Sequence, residues 1–175
     1  MSSDFPILYL SLLIVLLGLV SFFVIRQILK TRRVENELGR LQKTLAQGKG
    51  TAQDHFELGS IYLNKRVYSQ AIVQFQKALK AADLPELESA LVYNALGYAY
   101  FAQEQYDLSI RHYKDALKVD PNYVTALNNL GHAYERKQLT APALEAYEQA
   151  LALDADNQTA KRRAEALRKR LVPST

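Results

Sequence analysis

A Leu-Gly pair with Tyr three residues after the glycine occurs three times in this 175-residue chain: Leu58-Gly59 with Tyr62, Leu96-Gly97 with Tyr100, and Leu130-Gly131 with Tyr134. Each copy is followed at one fixed offset by a small residue, an aromatic and an alanine: Ala71, Phe75, Ala78; Ser109, Tyr113, Ala116; Ala143, Tyr147, Ala150. The glycines are 38 and then 34 residues apart, a period typical of stacked helical units. Leu, Gly and Tyr at these intervals share one stripe of a helix, and glycine there admits a second helix at close range. The small and aromatic residues of that second helix fill the contact. Each such hairpin buries its own seam but leaves the ends of the stack apolar, so several copies and a cap are needed.

The pattern resembles the tetratricopeptide-repeat (TPR) family, whose 34-residue unit is a helix-turn-helix. The expected fold is all-α: an N-terminal transmembrane helix over 5–25, a basic amphipathic juxtamembrane helix and hinge over 26–50, an α-solenoid of three TPR hairpins over 52–85, 90–123 and 124–157, and a capping helix over 158–171. Capping signals set the internal boundaries. Asp120-Pro121 reads as a cap with proline at N1 opening the third repeat, and Asp83 with Glu86 as a capping box before the second. The four extra residues in the first spacing place an N-terminal extension of the second repeat's first helix at 85–89. Thr140 before Ala141-Pro142 reads as the cap of the final hairpin's second helix. In 158–171, Ala160, Ala164, Leu167 and Leu171 share one face, while Lys161, Arg162, Arg168, Lys169 and Arg170 lie mostly on others.

Residues 5–25 are apolar or small except Tyr9, Ser11 and Ser21, and about 21 residues at about 1.5 Å rise cover the roughly 30 Å of a bilayer's hydrocarbon core. Pro6 falls in the first turn, where its missing N–H costs little. Asp4 precedes the span and no Lys or Arg occurs before Arg26, so a cleaved signal peptide is not expected. Arg26, Lys30, Arg32 and Arg33 follow it directly, which places the repeats on the cytoplasmic or stromal side. Val34, Leu38, Leu41 and Leu45 step by helical intervals toward Gly48-Lys49-Gly50, the expected hinge.

Charge is segregated along the chain. Residues 26–50 carry seven basic and two acidic side chains, 51–157 nine and fourteen, and 158–175 six and one. That is not the continuous basic face of a nucleic-acid binder, and no nucleic acid is expected. A basic block beside a span suits anionic headgroups. The chain has no Cys, which removes disulfides and thiolate chemistry. Gly48-Lys49 lacks the upstream glycine and the following Ser or Thr of a phosphate loop, since Lys43 and Gly50 stand in those places. His55, His112 and His132 have no ligand spacing, no GxSxG elbow occurs, and the carboxylates are scattered. The reading is a non-enzyme with no cofactor, metal or small-molecule substrate. Asn157-Gln158-Thr159 matches a glycosylation sequon, which the expected sidedness makes a chance match.

Recognition remains. The TPR resemblance implies that first helices line a concave groove through positions 2, 5, 9, 12 and 13 of each repeat. Those positions hold Gln53, Phe56, Ser60, Leu63 and Asn64; Leu91, Asn94, Tyr98, Phe101 and Ala102; and Thr125, Asn128, His132, Glu135 and Arg136. Amides there can hydrogen-bond a bound segment while Phe and Tyr supply contact energy. TPR cochaperones that grip a chaperone's C-terminal carboxylate carry basic and polar clamp residues where this chain has Phe56, Ser60, Thr125 and Asn129, so that ligand is not expected. The whole-chain layout looks like the membrane-anchored photosystem I assembly factors of cyanobacteria and plastids. That resemblance implies a thylakoid scaffold whose protein partners are photosystem I subunits or other assembly factors. An import receptor and a subunit of a bacterial envelope or secretion complex share the same outline.

Overall fold

The computed structural model describes residues 4–171, with side chains from residue 8 onward. Every regular element among them is a helix: α1 (Asp4–Ala46), α2 (Ala52–Asn64), α3 (Tyr68–Lys80), α4 (Glu86–Ala102), α5 (Tyr106–Val119), α6 (Val124–Arg136), α7 (Thr140–Leu153) and α8 (Gln158–Leu171). The chain divides into two compact units, one ending at Lys43 and the other beginning at Thr44.

In the first unit, α1 takes in both the expected span and the expected juxtamembrane helix as one element. Residues 26–33 hold neither Gly nor Pro, so nothing interrupts the backbone hydrogen bonds between them. It is the one helix among the described residues long and apolar enough to cross a membrane. Its large apolar side chains from Leu8 to Leu29 are exposed.

The second unit is a TPR solenoid. Helices α2 and α3, α4 and α5, and α6 and α7 pair as hairpins; α3 packs on α4, α5 on α6, and α8 on α7. The seam within each pair is one glycine against one buried ring. A Cβ on Gly59 would lie 2.6 Å from Phe75 Cε1, on Gly97 2.7 Å from Tyr113 Cδ1 and Cε1, and on Gly131 2.8 Å from Tyr147 Cε1. Phe75, Tyr113 and Tyr147 are among the most buried side chains. Small residues complete the joint, with Ala71, Ala78, Ser109, Ala116, Ala143 and Ala150 buried beside Leu58, Leu96 and Leu130. The consensus tyrosines Tyr62, Tyr100 and Tyr134 pack part-buried against the resulting clusters.

Each first helix ends in the same way. The Tyr62 carbonyl accepts from Val67 N and Leu63 from Arg66 N; Tyr100 and Phe101 accept from Gln105 and Glu104, and Tyr134 and Glu135 from Leu139 and Gln138. These are Schellman closures, whose left-handed residue is usually glycine. Here it is Arg66, Glu104 or Gln138, each at φ 60°. Neighbouring repeats are tied at matching positions: Gln103 Nε2 donates to Ser69 Oγ at 3.1 Å, and Lys137 pairs with Asp107.

Three capping expectations are corrected. Asp83 does not box with Glu86; its carboxylate accepts from Ala52 N at 3.1 Å, 31 residues away, while Pro85 precedes α4 without a side-chain cap. Asp120 and Pro121 lie in the turn before α6, with Asp120 Oδ1 accepting from Asn122 N at 3.0 Å and Tyr123 in the N-cap position. Thr140 is the first residue of α7, and Leu139 is its N-cap. An acidic side chain before a helix competes between several nearby N–H groups, and tertiary packing selects among them. The side-chain cap of α2 is a reciprocal box between Thr51 and Asp54. Asn157, the sequon residue, accepts from Ala160 N at 3.0 Å at the start of α8. Gly48 (φ 69°) closes α1 in a further Schellman turn, with Lys49 N donating to the Thr44 carbonyl.

Candidate functional site

The expected groove positions all fall on α2, α4 and α6, the first helices of the hairpins, and side chains of α4 and α6 meet directly. Asn129 Nδ2 donates to Asn94 Oδ1 at 3.0 Å. Asn94 Nδ2 in turn donates to the Tyr123 hydroxyl at 3.3 Å. The Phe101 ring lies 4.7 Å from His132 and 5.4 Å from Tyr106, centroid to centroid. Arg136 stacks over Tyr106 at 5.1 Å and reaches Glu104 at 3.7 Å.

On α2, Phe56 packs on Phe75 with centroids 5.8 Å apart, Ser60 Oγ donates to the Phe56 carbonyl at 2.8 Å, and Gln53 donates to Glu57 at 3.0 Å. Leu63 joins the first core cluster, and Asn64 is exposed at the end of α2. Ala102 is half-buried and Thr125 exposed. Asn128 Oδ1 is buried without a hydrogen-bond partner.

Within the repeats, the most open apolar surface lies along α4. Leu87, Leu91 and Tyr98 stand one and then two turns apart and are 68, 47 and 48 % exposed, so these three share the stripe that continues to the half-buried Phe101. Sequence reasoning missed Leu87. It precedes the repeat proper and becomes part of the stripe because α4 runs 17 residues where α2 and α6 run 13.

Charge on this face is compensated. Glu135 accepts from the Tyr147 hydroxyl at 2.7 Å and from Arg163 of α8 at 3.5 Å. Burial and this acceptor push the Tyr147 phenol well above its ordinary range. Burial, with help from Arg163 and Arg136 and against Glu135, holds the His132 imidazole below its usual value. His132 is thus neutral at physiological pH. The sequence does not point to Tyr123 and Arg163 because they join the face through contacts 29 and 28 residues away, with Asn94 and Glu135, and Tyr106 joins it from the start of α5, against Phe101 and Arg136. Each end of the Asn94 amide already makes one hydrogen bond within the protein, which fixes its orientation and leaves one N–H and one lone pair.

The family profile described as TPR repeat matches residues 97–138, and that described as Tetratricopeptide repeat matches 124–157. The ycf37 protein of Cyanophora paradoxa is 42 % identical over 160 residues, covering 91 % of both chains. The chloroplastic tetratricopeptide repeat domain-containing protein PYG7 of Arabidopsis thaliana is 40 % identical over 93 % of this chain, which spans 54 % of that longer protein. Among solved structures, the TPR protein YrrB superposes with a TM-score of 0.68 at 21 % identity, over 81 % of this chain and 71 % of its own. At that identity the likeness is one of fold.

Proposed function

We propose, for a chain that belongs to the ycf37 family of tetratricopeptide-repeat proteins, that it is a membrane-anchored scaffold whose α2–α4–α6 face holds a protein segment during assembly of a membrane complex, photosystem I. The observation that carries the binding reading is the open stripe of Leu87, Leu91 and Tyr98 beside a charge-compensated, amide-lined surface. Exposed aromatic and aliphatic anchors of this kind supply most of the energy of protein recognition. Extended backbone laid along the stripe of Leu87, Leu91 and Tyr98 would set many of its N–H and C=O groups against apolar side chains, and unpaired polar groups are costly to bury. A helix, whose backbone is satisfied internally, suits the face better.

Membrane anchoring is assigned to α1 on length and apolarity, with the repeats on the cytoplasmic or stromal side because Arg26, Lys30, Arg32 and Arg33 follow the apolar stretch. The assignment to photosystem I rests on the whole-chain layout, and the chloroplastic relative supports the compartment. No reaction is assigned to this face.

The test is crosslinking of a tagged copy in native membranes, gentle solubilisation and identification of the partners by mass spectrometry. Photosystem I subunits should be enriched, and the enrichment should fall with Tyr98→Ala. Recovery of an import or secretion apparatus instead, or normal photosystem I accumulation in a clean deletion strain, would overturn the assignment.

A further inference from the structure

We infer that the outward face of α8 is a second membrane contact, in which Lys161, Arg162, Lys169 and Arg170 lie against the headgroups of an anionic lipid leaflet; this rests on the membrane reading of α1 above. Helix α8 has two sides of different character. Ala160, Ala164 and Leu167 are buried in a cluster with Tyr147 and Ala150 of α7. The cations flanking that apolar side are used internally, Arg163 on Glu135 at 3.5 Å and Arg168 on Glu148 at 2.7 Å. The cations pointing away from it, Lys161, Arg162, Lys169 and Arg170, are exposed and make no side-chain ion pair or hydrogen bond among the described residues. Glu165, the one acidic residue in the helix, is exposed on the same face, one turn from Lys161 and one from Lys169, so the face keeps a net positive charge.

Shielding α7 from water would need only a polar outer surface, and mixed charge would serve. The preceding repeats have such a surface, with nine basic and fourteen acidic side chains over 51–157. A face on which four cations surround one carboxylate, on an otherwise acidic body, needs a different explanation. The face has no aromatic or large aliphatic anchor at its centre, where Ala166 is the apolar residue. Protein partners are held by such anchors, and single-stranded nucleic acid by stacking aromatics together with cations. An excess of Lys and Arg without such anchors matches a diffuse negative surface that demands no shape complementarity. Insertion is excluded because the apolar side is spent on α7, so the contact is electrostatic and weak. Weak contact is sufficient on a chain already tethered to the same bilayer, where the tether raises the local concentration of headgroups.

The absence of native Cys makes the test clean. A donor fluorophore on Ala166→Cys in the full-length protein, reconstituted into vesicles bearing an acceptor lipid, reports the approach of α8 to the surface. Energy transfer should be at least about twofold higher in phosphatidylcholine vesicles containing phosphatidylglycerol than in phosphatidylcholine alone. It should fall to the neutral-vesicle value at about 1 M salt, where screening reaches about 3 Å. The triple variant Lys161→Glu, Arg162→Glu, Lys169→Glu should abolish the difference, as should the milder triple Gln variant should the first misfold. Equal transfer in both vesicle types, from protein that resists alkaline carbonate extraction, overturns the α8 contact alone. Release of the chain by carbonate overturns the α1 reading and this inference with it. Equal transfer combined with loss of crosslinked partners in the triple Glu variant would give the face to an acidic protein instead.

Discussion

Gly97 lies directly beneath the ring of Tyr113, and a methyl group built on it would stand 2.7 Å from two ring carbons and 3.2 Å from the Ser109 carbonyl. At Gly59 and Gly131 the three nearest obstructing atoms all belong to a ring. Gly97→Ala should therefore cost the most of the three alanine substitutions, because a backbone carbonyl cannot swing aside as a side chain can. Overpacking of about 1–3 kcal/mol is expected after the helix-propensity gain of alanine is set against it. Chemical denaturation of the three single variants measures the ranking. Combining Gly97→Ala with Tyr113→Leu should be clearly non-additive, since the smaller side chain removes the ring that the methyl meets.

Tyr98 and Phe101, neighbours on one stripe, should separate binding from stability. Tyr98 is 48 % exposed, so Tyr98→Ala should leave the unfolding midpoint nearly unchanged while reducing partner capture. Phe101 packs on His132, Tyr106 and the third core cluster, so Phe101→Ala should lower stability by about 2–4 kcal/mol as well. Equal midpoints for the two variants would contradict this arrangement.

The Schellman closures at Arg66, Glu104 and Gln138 hold non-glycine residues at φ 60°, a conformation costing about 1 kcal/mol or more for a side chain with a Cβ. Replacement by glycine should be stabilising by roughly 0.5–1 kcal/mol at Gln138 after glycine's larger unfolded-state entropy is counted. The gain at Glu104 should be smaller, because its contact with Arg136 is lost. Thermal melts of the single variants test the order, and Gln138→Val should be destabilising.

Acidification should weaken the repeats through two histidines. Burial is the main cause that holds His112 and His132 below the ordinary 6.5. His112 is stacked between Tyr93 and Tyr100 and faces Asp115 and Arg111; His132 faces Phe101, Glu135, Arg136 and Arg163. The unfolded chain takes up these protons first, so the stabilisation is complete above 6.5 and is lost as pH falls through the lower folded values. Urea midpoints measured from about pH 7.5 down to about pH 5.5 should fall, and the double variant His112→Phe, His132→Phe should flatten that slope.

The fold is legible in the sequence because each seam is set by residues at fixed intervals: Gly59 and Phe75, Gly97 and Tyr113, Gly131 and Tyr147 are each 16 residues apart, within one hairpin. Local pattern fails where a polar group has several partners within reach. Asp83 could cap the helix it precedes, yet it bonds Ala52 across the first repeat. Asn94 has the character of a ligand-binding amide, and only the packing of α4 on α6 brings Asn129 and Tyr123 to occupy it. Arg163 reads as one more solvating cation until α8 docks and carries it to Glu135. Such choices depend on distances that no short sequence window contains.

The extra turn of α4 has a consequence for how the chain finds its own order. Joints built on the same glycine and ring are nearly interchangeable, and a copy could engage the wrong neighbour, or that of another molecule, with little loss in the seam itself. A 17-residue helix set between 13-residue ones is asymmetric, like the offset tooth of a key. A hairpin docked one unit out of place would meet the overhang at Leu87 or leave it hanging, and would exchange the native ties of Gln103 with Ser69 and Lys137 with Asp107 for other pairings. Length in this one helix thereby gives otherwise equivalent units distinct addresses.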